Sequence, residues 1–311
     1  MTTHVAFVFP GQGSQTVGML AEIAQKHREI EETFAEASEV LGYDLWRLVQ
    51  YGPAEELDKT VRTQPALLAA SYGIWRILEA KNHLKPDLLA GHSLGEYTAL
   101  VCAESISFKD AVKLVAARGQ YMQEAAPVGS GALAAIVGLL DDAVRRICEE
   151  ASLSGEVLSP ANFNSPGQVV IAGHLPAVER ALILAKEAGA RLAKLLPVSV
   201  SSHCVLMKPA AEKLAASLAM LPIELPRIPV VNNVDVAVYS SVDGIRDGLI
   251  RQLYMPVRWV EMIELFVDKG ISHIVECGPG KVLSGLNKRI VPDIQLTHTA
   301  DLASLHTLIR N

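Results

Sequence analysis

A short apolar run at 88–90 breaks off at Gly91-His92-Ser93-Leu94-Gly95, and a helix-like stretch at 96–103 follows at once. Strand, sharp turn and helix in that order confine the chain to an α/β architecture, because a strand that feeds a helix within five residues needs small residues around the bend. The same bend favours chemistry. Glycines at 91 and 95 let the Ser93 oxygen stand at the sheet edge, beneath the amino-terminal amides of the helix. A second such transition opens the chain, where the apolar run 4–9 stops at Pro10-Gly11.

Apolar periodicity predicts helices over 20–41 and 66–79. Ser107, with Asp110 three residues on, reads as a capping box for a helix that runs to 125, carries Arg118 and closes at Pro127-Val128-Gly129. From 130 the order changes: strand 132–137, helix 141–151, strands 157–163 and 168–172, helix 176–188, strand 191–196. That βαββαβ pattern is the grammar of a ferredoxin-like unit, able to sit as an insert in a larger domain. Past 198 the α/β alternation resumes, with helices at 207–221, 243–253, 259–269 and 281–290 and strands at 228–231 and 273–276. The expected fold class is therefore α/β: a large α/β-hydrolase-like domain with a parallel sheet, residues 1–127 and 198–311, interrupted by a small ferredoxin-like domain, residues 128–197.

Half of the 311 residues are hydrophobic and a fifth are charged, enough to bury a real core and too apolar for disorder. A net charge of -6, with no block of Lys and Arg, argues against a nucleic-acid partner. The first 21 residues carry no Lys, Arg, Asp or Glu, yet residues 10–15 interrupt them and no basic segment leads in, so neither a signal peptide nor a membrane span is expected. Cys102, Cys148, Cys204 and Cys277 form no CxxC pair. That spacing suggests no metal site and no disulfide framework, and a cytoplasmic, reducing setting. No cofactor is expected either: after Gly11 and Gly13 the third glycine of a dinucleotide loop would fall at Thr16, and Gly278-Pro279-Gly280-Lys281 has Val275 and Val282 where a phosphate-binding loop needs Gly and Ser or Thr.

A serine hydroxyl is a weak nucleophile at neutral pH and needs a base within hydrogen-bond reach. Of nine histidines, His92 would point elsewhere from so tight a turn, and His4, His27, His83 and His174 sit in ordinary strand, helix or loop settings. His203, His273, His298 and His306 stay open, and the chain order of a plain α/β-hydrolase favours a late one. Cys204, beside His203, reads better as a small core residue than as a thiol nucleophile. The turn Pro10–Gln15 reads either as a plain tight turn or as a source of backbone amides for an oxyanion, with the amide after Ser93 as the second donor.

Gly11-Gln12-Gly13-Ser14-Gln15, Gly91-His92-Ser93-Leu94-Gly95-Glu96, Arg118 in Ala117-Arg118-Gly119, Ser202-His203, Val231-Asn232-Asn233-Val234 and Gln252-Leu253-Tyr254-Met255-Pro256-Val257 together closely resemble the bacterial malonyl-CoA:acyl-carrier-protein transacylases. Six ordered motifs over most of the chain are far more specific than any one of them. The resemblance implies Ser93 as nucleophile, His203 as its base, and Gln252 orienting His203 through its backbone carbonyl. It further implies the Gln12 and Leu94 amides as oxyanion hole and Arg118 as the partner of the substrate carboxylate. It implies malonyl-CoA and phosphopantetheinylated acyl carrier protein as partners in fatty acid biosynthesis. Ser201 departs from the proline usual before Ser-His, a change expected to loosen the His203 loop modestly. Two other readings of the same residues are a serine thioesterase, and a non-catalytic docking subunit that meets an acidic carrier protein through Lys281, Lys288 and Arg289.

Overall fold

A computed structural model describes residues 4–81, 85–126, 129–197 and 200–310. Nine strands are present among them: β1 (Val5–Phe9), β2 (Leu88–Gly91), β3 (Gly131–Val137), β4 (Leu158–Ser165), β5 (Gln168–His174), β6 (Leu192–Leu195), β7 (Val230–Val231), β8 (His273–Glu276) and β9 (Gln295–His298). They form two separate sheets. One is parallel throughout, in the order β7-β2-β1-β8-β9. The other is antiparallel, in the order β4-β5-β3-β6. At the expected boundaries, residues 127, 128 and 198 lie outside the described ones, as does His83.

Side-chain alternation along β1 explains why its whole apolar run is used. Val5, Phe7 and Phe9 join a core with the helices Thr60–Lys81, Leu94–Cys102 and Phe108–Ala125, while Ala6 and Val8 face a second core built on Trp259, Met262, Phe266 and Leu283. The antiparallel sheet divides its residues in the same way. Ala134, Ile136, Val169 and Ile171 pack under the helices Asp141–Ala151 and Leu175–Glu187. Leu133, Val170 and Ala172 turn to the opposite face, where Cys204 meets them. Backbone hydrogen bonds from Phe163 N to Val257 O and from Val257 N to Ala161 O tie β4 to the segment before the helix Trp259–Asp268, whose Val257 belongs to the second core.

The connection after β1 leads to β2 on one side, and that after β8 leads to β9 on the other. The carboxyl ends of β1 and β8 thus flank the switch point where parallel sheets open a crevice. The turns at 10–15 and 277–281 rise there, next to the bend that carries Ser93.

Some elements depart from the periodicity. The stretch 20–41 is two helices, Ala21–Ala24 and Glu29–Leu41, because residues 25–28 offer no buried apolar anchor, although Ile23 and Ile30 stay in phase across the break. β9 and the helices Leu45–Tyr51 and Leu302–Arg310 were not expected; β9 is a short, half-exposed edge strand of mixed polarity that gains its identity only by pairing with β8. Ser107 caps its helix as expected by accepting from Asp110 N at 3.1 Å, but its hydroxyl donates to the Asp110 carboxylate at 2.7 Å, so the bonding is not the reciprocal box. Among the described residues, no helix is long and apolar enough to cross a membrane, and no cluster of three or more metal-ligating side chains occurs.

Candidate active site

The bend after β2 is too tight for any side chain but hydrogen at its glycines. A Cβ on Gly91 would lie 1.8 Å from the Gly95 carbonyl carbon, and one on Gly95 would lie 2.0 Å from Phe9 O. Both obstacles are backbone, so neither can step aside. Gly95→Ala is accordingly expected to cost more than about 3 kcal/mol, beyond ordinary overpacking, and a thermal melt that matches the parent would contradict it. Ser93 itself takes the strain, with φ 52° and ψ -107°, a conformation that non-glycine residues keep only where the surroundings enforce it.

That strain aims the hydroxyl. Ser93 Oγ lies 2.8 Å from His203 Nε2, and the opposite ring nitrogen, Nδ1, lies 2.7 Å from the backbone oxygen of Gln252. A carbonyl only accepts, so Nδ1 carries the proton and Nε2 presents a bare lone pair to the serine. Gln252 ends the helix Val242–Gln252, whose last carbonyls lack intrahelical partners. A helix carboxyl terminus thus stands where a triad carboxylate usually stands, and its dipole favours an imidazolium by about 0.3–2 kcal/mol. His203 is also fixed through its own amide, which donates to Leu253 O at 2.9 Å, with a left-handed φ of 62°. Burial first, and then the nearby Arg118 cation, push its pKa down to about 3, so the ring is neutral across the physiological range.

Arg118 reaches the same oxygen from the helix Phe108–Ala125. It is 1% exposed, and its NH2 lies 3.3 Å from Ser93 Oγ and 2.9 Å from Gln252 Oε1, while NH1 donates to Gln64 Oε1 at 2.9 Å. The guanidinium also lies over the Tyr97 ring, 5.2 Å from its centroid. Burial lowers its pKa from the ordinary value, yet an arginine keeps its charge. A fixed cation with this geometry suits a planar anion bound in two-pronged contact.

Ser93, His203, Arg118, Gln12 and Leu94 line one cavity of about 180 Å³. That is below the roughly 300–1,000 Å³ of pockets that enclose a drug-sized ligand, so it suits a small acyl head whose carrier stays outside. In the bend, Ser93 N donates to Asn233 Oδ1, Gly95 N to His92 O and Glu96 N to Ser93 O. Leu94, at the first position of the helix, lines the cavity.

The other candidates sit elsewhere. His273 bonds Thr297 Oγ1 at 2.7 Å at the amino-terminal end of β8, His298 lies on β9, and His306 abuts His27 at 3.3 Å. His92 lines the cavity but turns its Nε2 to Asn164 Oδ1 at 2.8 Å. The Cys204 thiol is buried with its pKa pushed up to about 11 and donates to Ser201 O, which makes it inert. Ser201 is fully buried, and its hydroxyl donates to Gly173 O at 3.3 Å, which ties the His203 loop to β5. Of the basic trio, Lys288 donates to Pro292 O and Arg289 to Gln168 Oε1, so both heads are engaged within the fold.

Three further side chains were quoted in motifs or passed over without a role: Asn233, which holds the Ser93 amide; Gln64, which holds Arg118; and Glu96, buried beneath the bend. Glu96 carried a signal, since a lone carboxylate in the otherwise apolar helix Leu94–Cys102 has to be paired inside.

Residues 6–284 match the acyl transferase domain family. The chain is 61% identical over 289 residues to the malonyl CoA-acyl carrier protein transacylase of Escherichia coli, covering 93% of each protein. Among solved structures it superimposes with a TM-score of 0.98 and 56% identity on a malonyl-transacylase in complex with its type II PKS acyl-carrier protein, covering 99% of this chain and all of that one. It superimposes with a TM-score of 0.97 and 52% identity on the malonyl CoA-acyl carrier protein transacylase of Coxiella burnetii, covering 100% and 98%. With the fold, the six motifs and these relatives in agreement, the chain belongs to the acyl transferase family and, within it, to the bacterial malonyl CoA-acyl carrier protein transacylases.

Proposed function

We propose that this chain moves a malonyl group from malonyl-CoA to the phosphopantetheine thiol of acyl carrier protein through a malonyl ester on Ser93, as a step of fatty acid biosynthesis. One observation carries the reading: the Ser93 oxygen lies between a neutral imidazole at 2.8 Å and an immobilised guanidinium at 3.3 Å, in a cavity sized for a short acyl group.

Ser93 Oγ attacks the thioester carbonyl as His203 Nε2 takes its proton, and the Gln12 and Leu94 amides receive the oxyanion. The C–S bond then breaks, and the CoA sulfur leaves with the proton from His203. In the second half the carrier-protein thiol gives its proton to His203, the sulfur attacks the ester carbonyl, and Ser93 leaves with that proton. Arg118 holds the distal carboxylate throughout. Each oxyanion donor is worth about 2.7–4 kcal/mol in such reactions, a factor of about 10²–10³, so the geometry of the turn at Gln12 bears directly on the rate.

We read 1–127 with 198–311 as one α/β-hydrolase-like unit and 128–197 as a ferredoxin-like insert. The strand order β4-β5-β3-β6 with two helices on one face supports that division. Four buried, unpaired cysteines support a cytoplasmic setting.

The test is transfer of labelled acyl groups from malonyl-, methylmalonyl- and acetyl-CoA to purified carrier protein, with mass spectrometry for a malonyl adduct on Ser93. Transfer without an adduct would overturn the ester, and hydrolysis outrunning transfer would favour the thioesterase.

The pH profile adds a second check. Two steps of a ping-pong reaction report two enzyme forms: kcat/KM for malonyl-CoA reports the free enzyme, and kcat/KM for carrier protein the malonyl-enzyme. His203 must be deprotonated, so rate falls as pH drops through its pKa, which burial and Arg118 hold far below 6.5 in the free enzyme. A malonyl carboxylate on Arg118 offsets that cation, so the acid limb for carrier protein is expected at higher pH than the limb for malonyl-CoA. Coincident limbs would contradict the pairing.

A further inference from the structure

Beneath the bend lies one buried charge without a task. Glu96 is fully buried, and its carboxylate accepts three hydrogen bonds: from the Tyr239 hydroxyl on Oε1, and from Gln252 Nε2 at 2.8 Å and Asn233 N at 3.1 Å on Oε2. Its spacing from Ser93 is that of a capping box, in which the carboxylate would reach back to the Ser93 amide. That amide instead donates to Asn233 Oδ1 at 2.7 Å, and the Ser93 oxygen faces His203, so Glu96 is released from capping.

We propose that Glu96 is a positioning residue for acyl transfer, which fixes the orientation of the Gln252 side-chain amide and through it aims Arg118 at the substrate carboxylate. The inference rests on the transfer reading above.

An amide has two ends of opposite character, and here the carboxylate decides which end points where. Gln252 Nε2 donates to Glu96 Oε2 and also to Ser93 O at 3.0 Å, which leaves Oε1 to accept from Arg118 NH2 at 2.9 Å. The flipped amide would set its NH2 against the guanidinium and its oxygen against the carboxylate, two repulsive contacts in a dry interior. The backbone carbonyl of the same Gln252 receives His203 Nδ1, so one anchored residue serves both the cation and the base. Asn233 extends the arrangement: its amide is held by Glu96, its Oδ1 takes the Ser93 amide, and its Nδ2 donates to Gly91 O at 2.7 Å. Three donors suit an ionised carboxylate, while burial pushes the Glu96 pKa up to about 7. Nearby Arg118 opposes that rise, and the carboxylate in turn raises the Arg118 pKa.

The experiment compares malonyl and acetyl transfer in parallel. Glu96→Ala is expected to lower the malonyl-to-acetyl rate ratio about tenfold, because only malonyl uses Arg118; tenfold corresponds to about 1.4 kcal/mol. In a Gln252→Ala background the same change is expected to move the ratio by less than about threefold, as befits a residue that acts through Gln252. Glu96→Gln is expected to recover most of the ratio, since its oxygen accepts from Gln252 and Asn233 while its NH2 donates to the Tyr239 oxygen. Should Glu96→Ala not fold, Glu96→Asp, which withdraws the carboxylate by one methylene, carries the same expectation. Equal loss of malonyl and acetyl transfer, full additivity with Gln252→Ala, or a Glu96→Gln ratio as poor as that of Glu96→Ala would each overturn the proposal. If the parent protein itself loads no malonyl on Ser93, the transfer reading falls and takes this one with it; a working parent with an unmoved ratio in the variants sinks this one alone.

Discussion

Ser93→Ala is expected to abolish the acyl-enzyme and to lower malonyl transfer by about 10⁶, the scale on which an activated serine is lost in enzymes that use one. His203→Ala is expected to lose a comparable factor, because a serine that keeps its proton attacks poorly. The double variant is expected to be no worse than either single one, since the two residues act as a unit. Rapid-quench measurement of labelled enzyme separates the possibilities. Acyl label on Ser93→Ala at the parent rate would move the nucleophile elsewhere, and multiplicative losses in the double variant would mean the 2.8 Å contact does not operate as a pair.

Arg118→Ala is expected to remove most of the preference for malonyl over acetyl donors, by a hundredfold or more. A buried ion pair that loses one partner costs about 3–5 kcal/mol, less where water enters, and each 1.4 kcal/mol is tenfold. Acetyl transfer is expected to change far less, because an acetyl group has nothing to offer the guanidinium. Lysine is expected not to restore the preference: it supplies a charge but not the fork that bonds Gln64 and Gln252 on one side and a carboxylate on the other. Rates with both donors on purified, folded variants decide this, and an unchanged ratio would remove Arg118 from substrate recognition.

The bend around Ser93 was legible because its requirements are local. Glycines at 91 and 95, an apolar strand before and a helix after make a pattern whose geometry follows from the backbone, and the contacts a Cβ would make show why no other residue fits. The βαββαβ order was legible for the same reason, since helix and strand periods differ within each short segment. The split in 20–41 was not, because Ile23 and Ile30 keep helical phase across it. β9 was not legible either: strand identity at a sheet edge comes from a partner 22 residues earlier in the chain, in the register His273 to Gln295.

Residue types and spacing alone named a nucleophile and left four histidines in contention for the base. Resemblance to a family reduced four to one, and in the folded chain His203 is the one of those four whose ring nitrogen meets Ser93 Oγ, at 2.8 Å. His203 and Ser93 are 110 residues apart and meet because β2 and the loop after the antiparallel sheet converge at one crevice, while His273 sits at the opposite end of its strand. Glu96, Asn233 and Gln64 gain their hydrogen-bond partners only in three dimensions. A hydrogen bond depends on a few ångströms and on direction, and neither is written in the order of residues along a chain; which donor turns toward a buried carboxylate is decided by packing once water has been excluded.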